Sequence, residues 1–213
     1  MQDPLLLAEL LCARICHDVS GPLSSVLAGV EVAAEEAGAA SEPLAVALEA
    51  GEALRRRLGW MRAAWAGEAG ALSVTEFRRL AEAVASGRRL TLDFSKLDPD
   101  RAFAPPAARL ALNVLLLAFE ALGSRGRIAM AGSAGAEVAV TLEGPRAAWP
   151  EELATYLADE RAAWQALTGA RTLQAPLTAL LARRCGLRLS FLLPAGGAPG
   201  SPAPLLMSLG ITR

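Results

Sequence analysis

Apolar positions in the first 36 residues recur at helical spacing, without the alternation of a strand. Ile15, Val19 and Val26 fall on one stripe, flanked by Leu11 and Leu23. The side shared with His17 carries Ala13, Arg14, Ser20, Gly21 and Ser24, which are small or polar. The pattern predicts a helix that buries the Ile15–Val19–Val26 side and leaves His17 facing outward. Asp3 is placed to cap the free N–H groups of the first turn, and Pro4 suits the first helical position, where a missing N–H costs nothing. The helix runs to about Ala37, with Gly38 as its stop. Pro22 removes the bond to the carbonyl of Asp18 and predicts a kink about one turn after His17. Ser41-Glu42-Pro43 reads as a new N-cap and first turn. The helix it opens carries Leu44, Leu48, Leu54, Leu58 and Met61 and ends near Gly67-Glu68-Ala69-Gly70. So short a connection makes the two helices an antiparallel hairpin.

Beyond Gly70 the pattern breaks into shorter segments. Helices are predicted at 75–86, 105–122, 150–164 and 173–184, and strands at 89–95, 127–131, 137–142, 188–193 and 205–209. Gly132-Ser133-Ala134-Gly135 joins two of the strands as a hairpin turn, and 196–204, rich in Gly, Pro and Ser, reads as a turn or connector. The expected class is α+β, with helices on one face of a mixed sheet. The expected domains are 1–70, a helical hairpin, and 71–213. A two-helix hairpin buries little apolar surface alone, so a second copy completing a four-helix bundle across a two-fold axis is the economical arrangement.

Composition narrows the setting. A chain of 213 residues, 53% hydrophobic with a formal charge of −1, has no basic block for a run of phosphates, which argues against nucleic-acid binding. The most apolar run, 110–122, is interrupted by Asn113 and Glu120 and falls short of the ~18–20 residues that span a bilayer. No positively charged leader precedes 5–11, and three cysteines without framework spacing fit a reducing compartment. The expectation is a cytoplasmic protein with no membrane partner.

His17 is the sole histidine, which rules out a histidine-rich metal site. Cys12 and Cys16 lie one helical turn apart, but His17 is about 100° round the helix from Cys16 and no fourth ligand is in view, so the thiols read as structural and no metal is expected. No Gly-x-Ser-x-Gly sequence supports a serine nucleophile using His17 as base. Helical phase alone leaves two readings open: a reactive imidazole, or a histidine that simply sits on a polar face.

The spacing His17-Asp18-x-x-x-Pro22 resembles the phosphoacceptor box of sensor histidine kinases. In that family the histidine lies on the first helix of a dimerising hairpin. The acidic neighbour can hydrogen-bond one ring nitrogen and leave the other nucleophilic. The second half resembles the ATP-binding domain of those kinases in the order of its elements, but its boxes are degenerate. On the helix containing Asn113, the position of the magnesium-binding asparagine is Leu117. Leu142-Glu143-Gly144-Pro145 stands where an Asp-x-Gly-x-Gly box is expected, and 168–174 replaces the glycine-rich lid. Three losses together imply that ATP does not bind.

A phosphoacceptor hairpin joined to a degenerate kinase-like domain resembles the ChpT-type histidine phosphotransferases. The most specific piece is Ala13-Arg14-Ile15-Cys16-His17-Asp18, supported by Leu90-Thr91-Leu92-Asp93, Leu112-Asn113 and Gly144-Pro145-Arg146-Ala147. Ser20-Gly21 departs from the bulkier residue often found before the proline. The resemblance implies a homodimer and a C-terminal α/β sandwich like a degenerate kinase ATPase domain. It implies that His17 is the phosphoacceptor, Asp18 its orienting group and Pro22 the kink, with Arg14, Ser20, Gly21 and Ser24 as the receiver-docking surface. Phosphate would pass from the receiver aspartate of a hybrid histidine kinase to His17 and then to a response regulator. The chain would hold no cofactor of its own, Mg²⁺ coming with the receiver. The alternative is a scaffold or inhibitor that binds regulators or a kinase without phosphotransfer.

Overall fold

A computed structural model describes residues 4–36, 42–66, 70–85, 89–123, 125–167, 172–192 and 201–210. The chain divides into two compact units, 1–68 and 69–213. The first is a pair of packed helices, α1 (Pro4–Glu36) and α2 (Glu42–Trp65). The capping residues expected at Asp3 and Ser41, and the connection 37–41, lie outside the described residues. α1 runs on as helix through Pro22.

Burial along α1 follows a seam different from the expected stripe. Cys16 and Leu27 are buried, and Cys12, Ser20, Leu23, Val30 and Ala34 are half-buried. From 16 to 34 these positions alternate in steps of four and three, the spacing of a helix pair. Gly51 of α2 meets this seam: a Cβ there would lie 2.0 Å from Leu27 Cδ2. Val19 and Val26, expected to be buried, are 39% and 60% exposed. The physical reason is that α1 carries two apolar stripes about 80° apart, and one neighbouring helix covers only one of them.

The second unit runs β1 (Leu72–Ser73), α3 (Val74–Ala85), β2 (Arg89–Leu97), β3 (Ala102–Phe103), α4 (Pro105–Leu122), β4 (Arg125–Gly132), β5 (Glu137–Glu143), α5 (Leu153–Ala158), α6 (Glu160–Gln165), α7 (Gln174–Arg184), β6 (Arg188–Phe191) and β7 (Leu205–Ser208). Five strands form one sheet in the order β2-β4-β5-β7-β6. β2 and β4 are parallel, joined through α4, and the other pairs are antiparallel. β7 comes last in sequence yet lies between β5 and β6. β1 and β3 form a two-stranded ribbon that the residue pattern did not predict, since two residues are too few to show a period.

α3 begins with a reciprocal cap. Ser73 Oγ accepts from the Glu76 amide at 3.2 Å, while the Glu76 carboxylate accepts from the Ser73 amide at 3.0 Å and its hydroxyl at 2.7 Å. The single helix expected over 150–164 is instead two. Asp159 is extended (φ −120°, ψ 110°) and its carboxylate accepts from the Arg161 amide at 2.8 Å, so it caps α6 and ends α5. Gly132 (φ +128°) closes β4, where a Cβ would lie 2.1 Å from the Glu137 carbonyl oxygen.

One sheet face carries buried Phe94, Ile128, Met130, Val138, Val140, Leu142, Leu205 and Met207. The alternate positions Ala129, Ala131, Ala139, Thr141 and Leu206 are half-buried. α4 packs on β4, β5 and α7, with Leu110, Leu112, Leu115 and Leu117 fully buried. It is the one described helix long and apolar enough to cross a bilayer, but 67% of it is buried inside this unit, as befits a core helix.

Candidate functional site

Position 17 lies near the middle of α1, a rigid element of 33 residues. The side chains of Arg14, His17, Asp18 and Pro22 lie outside those described, while Ser20, Gly21 and Ser24 are within them. These three stand three, four and seven residues after position 17, on the same helical face. Gly21 and Ser24 are exposed and Ser20 is half-buried. A Cβ at Gly21 would meet no atom within 4 Å, so the surface a turn beyond position 17 is open. Ser20 Oγ donates to the Cys16 carbonyl at 2.5 Å and Ser24 Oγ to the Ser20 carbonyl at 2.9 Å. Their hydroxyls thus satisfy backbone within the helix and leave small, compact side chains at the surface. Pro22 has no N–H to offer the Asp18 carbonyl.

Cys16, immediately before His17, is wholly buried and Cys12 is half-buried. Burial, reinforced by the adjoining Cys16, pushes the Cys12 thiol up to about 11. A thiol so placed stays protonated at neutral pH and serves as packing. No group of three or more His, Cys, Asp or Glu side chains suited to a metal occurs among the described residues.

α4, which carries Asn113 and Leu117, packs on α7. Leu117, where the kinase resemblance would place the magnesium-binding asparagine, is fully buried. Asn113 is also buried, and its Nδ2 donates to the Arg109 carbonyl at 2.9 Å. Gln174, at the end of the lid replacement, is 5% exposed and turned inward. Its Nε2 lies 3.1 Å from both the Asn113 carbonyl and Oδ1, and 3.0 Å from Thr178 Oγ1. Thr178 Oγ1 in turn donates to the Gln174 carbonyl at 2.6 Å. The polar groups between these helices are thus satisfied by one another. This cluster was missed in sequence, although Gln174 and Thr178 at i and i+4 among Ala175, Ala179, Leu180 and Leu181 are its signal. Residues 168–171 lie outside the described residues.

At the end of β5, exposed Glu143 holds its carboxylate 3.2 Å from Arg127 Nη1, while Arg127 Nη2 is 2.5 Å from Asp93 Oδ2. The hydroxyl and amide of Ser95, then Arg127, hold the Asp93 carboxyl well below the usual range. Sequence reading had Asp93 and Glu143 as pieces of separate motifs. Sheet register makes them partners of one arginine.

A model of the histidine phosphotransferase C-terminal domain matches residues 74–196. No curated protein matches the chain in sequence. Among solved structures, one described as a bacterial phosphotransferase is 19% identical with a TM-score of 0.60, covering 98% of this chain and 97% of its own. The histidine kinase domain of the Erythrobacter litoralis EL346 blue-light activated kinase is 16% identical with a TM-score of 0.44, covering 99% and 95%. Full-length ShkA in complex with AMPPNP is 18% identical with a TM-score of 0.47, the likeness covering 95% of this chain and 46% of that one. The first of these shares the fold.

Proposed function

Because this chain belongs to the histidine phosphotransferase family, we propose that it relays phosphate through His17 between receiver domains of a bacterial two-component system. The observation that supports this reading is the open, small-residue surface of Gly21 and Ser24, with half-buried Ser20 beside them, on the helical face of position 17. In the first step one ring nitrogen of His17 attacks the phosphorus of an aspartyl phosphate. The N–P bond forms, the P–O bond to the aspartate breaks, and the carboxylate leaves. The reverse chemistry delivers the phosphoryl group to the aspartate of a response regulator. Asp18 orients the imidazole, Arg14 offsets phosphoryl charge, and Ser20, Gly21 and Ser24 let the receiver's loops approach. Pro22 eases the helix beside the site. The receiver brings Mg²⁺, which supplies electrostatic stabilisation of the transferring group.

The protein is read as a cytoplasmic homodimer that neither binds nor hydrolyses ATP. The closed Asn113–Gln174–Thr178 cluster and buried Leu117 support the second point. The unpartnered Val19 and Val26 of α1, with Leu54 of α2 at 43% exposure, support the dimer.

The test is transfer from an isotopically phosphorylated receiver. The wild-type chain is expected to acquire one acid-labile phosphate, and His17→Ala none, while remaining dimeric by sedimentation. Label retained in His17→Ala would reject the assignment. A wild-type chain that binds the receiver but never becomes labelled would favour the scaffold reading instead.

A further inference from the structure

In the second unit the sheet has a face that no helix described in that unit covers, and it is electrostatically lopsided. Arg89 and Arg125 are direct partners across the parallel β2–β4 pair, so their side chains emerge side by side on that face. Both are exposed, and neither makes a hydrogen bond or ion pair among the described residues. Lys96, the chain's sole lysine, shares a row with Ala131 beyond the irregularity in β2 and is likewise exposed and unpaired. Arg127 stands between these ends and is the one cation of the strip that is offset, by Asp93 and Glu143.

Folding gives no reason for this arrangement. Like charges directly opposite each other across strands are destabilising. Protecting an edge strand accounts for cations on β2, while β4 is paired with β2 at Arg125 and with both β2 and β5 from Arg127 onward. The whole chain carries −1, so three unpaired cations on one strip leave the remainder of the protein net acidic. The charge is segregated.

We propose that the β2–β4 side of the open sheet face is a docking surface for an acidic protein segment. From the Arg125 row to the Ala131 row is six residues, about 20 Å at strand rise, too long for a single phosphate and matched to roughly four turns of a helix. The floor, Ala129, Ala131 and Thr141, is small and flat, not concave as a small-molecule site would be. A membrane surface would need large apolar side chains, and none of the exposed ones lies on these strands. Nucleic acid would need more phosphate contacts than three cations give. The inference stands apart from the assignment of His17.

The test uses the full chain with poly-L-glutamate of about 20 residues as probe, alongside phosphatidylserine vesicles, duplex DNA and inorganic phosphate. Poly-glutamate is expected to bind the wild-type protein and to weaken as salt rises. Joint Arg89→Glu and Arg125→Glu substitution is expected to weaken it at least about tenfold. Glu143→Gln, which releases Arg127 from one partner, is expected to tighten it. Joint Arg89→Gln and Arg125→Gln serves if the charge reversal does not fold. Absence of poly-glutamate binding, equal binding by both arginine variants, or an arginine-dependent preference for vesicles, DNA or free phosphate would each overturn the proposal. So would arginine-dependent association of copies of this chain beyond the dimer.

Discussion

At position 17 the sequence speaks more directly than the fold does. Helical phase sets position 17 on the flank of Ser20, Gly21 and Ser24, of which Gly21 and Ser24 are exposed while half-buried Ser20 borders the seam with α2. If Asp18 orients the imidazole, Asp18→Asn is expected to slow phosphate acceptance roughly tenfold, a barrier of about 1.4 kcal/mol, without changing thermal stability. Single-turnover transfer from a phosphorylated receiver measures it. Cys12, five residues earlier, is expected to resist alkylation. With its thiol moved from 9.0 to about 11, its thiolate fraction at neutral pH is roughly 100-fold below that of a free thiol, and iodoacetamide labelling of the native protein followed by peptide mass spectrometry reads the difference.

At the scale of elements, the boundaries marked by proline and glycine were the legible ones. Pro105–Leu122 has its proline start and its Gly123 stop in plain view, and the helix occupies that span. Ser73-Val74-Thr75-Glu76 spells a capping box, which starts α3 at Val74, one residue before the apolar period suggests. Asp159 looked like one polar residue within a helix because its period continues on both sides. Only its side-chain bond to Arg161 reveals the break. The stripe of α1 was misassigned because periodicity reports that a side is apolar and not which neighbour covers it.

Two tests belong at this scale. Glu76 is held below its ordinary value chiefly by the Ser73 hydroxyl, then the Ser73 amide. A depressed carboxyl contributes stability above its unfolded value of ~4.3 and loses it as pH falls through the folded value. The unit is therefore expected to melt earlier in acid, and Ser73→Ala to flatten that dependence, by circular dichroism between pH 3 and 6. On α2, Gly59→Ala meets nothing within 4 Å, whereas Gly51→Ala drives a methyl into Leu27. The first is expected to stabilise by up to about 1 kcal/mol. The second should lose that gain to overpacking of ~1–3 kcal/mol. Chemical denaturation of the two variants compares them directly.

For the whole molecule, the tests concern what the two units leave open and closed. If the uncovered stripe of α1 forms the proposed homodimer interface, Val26→Glu, which places a charge on it, is expected to leave the chain monomeric at micromolar concentration in sedimentation. Mg-ATP is expected to show no saturable binding at millimolar concentration by calorimetry; micromolar affinity would return the protein to the kinases. The change of pattern near residue 70 was visible in the sequence, and the mixed order of helices and strands after it was readable. The α4–α7 seam was not, because a missing motif says what a site lost and not which residues closed it. Gln174→Leu should cost roughly 1–3 kcal/mol by removing the buried Nε2 donor that Gln174 offers to Asn113.

The place of β7 carries a consequence for biosynthesis. A chain emerging from the ribosome releases β2, α4, β4 and β5 well before residues 205–208 appear. Until then β5 shows an unpaired edge and β6, which joins the sheet only through β7, has nowhere to attach. Such an edge invites pairing with other nascent chains. Ribosome-bound chains stalled before residue 205 are therefore expected to recruit chaperones and to be sensitive to protease, and those stalled after the last strand has cleared the tunnel to be neither.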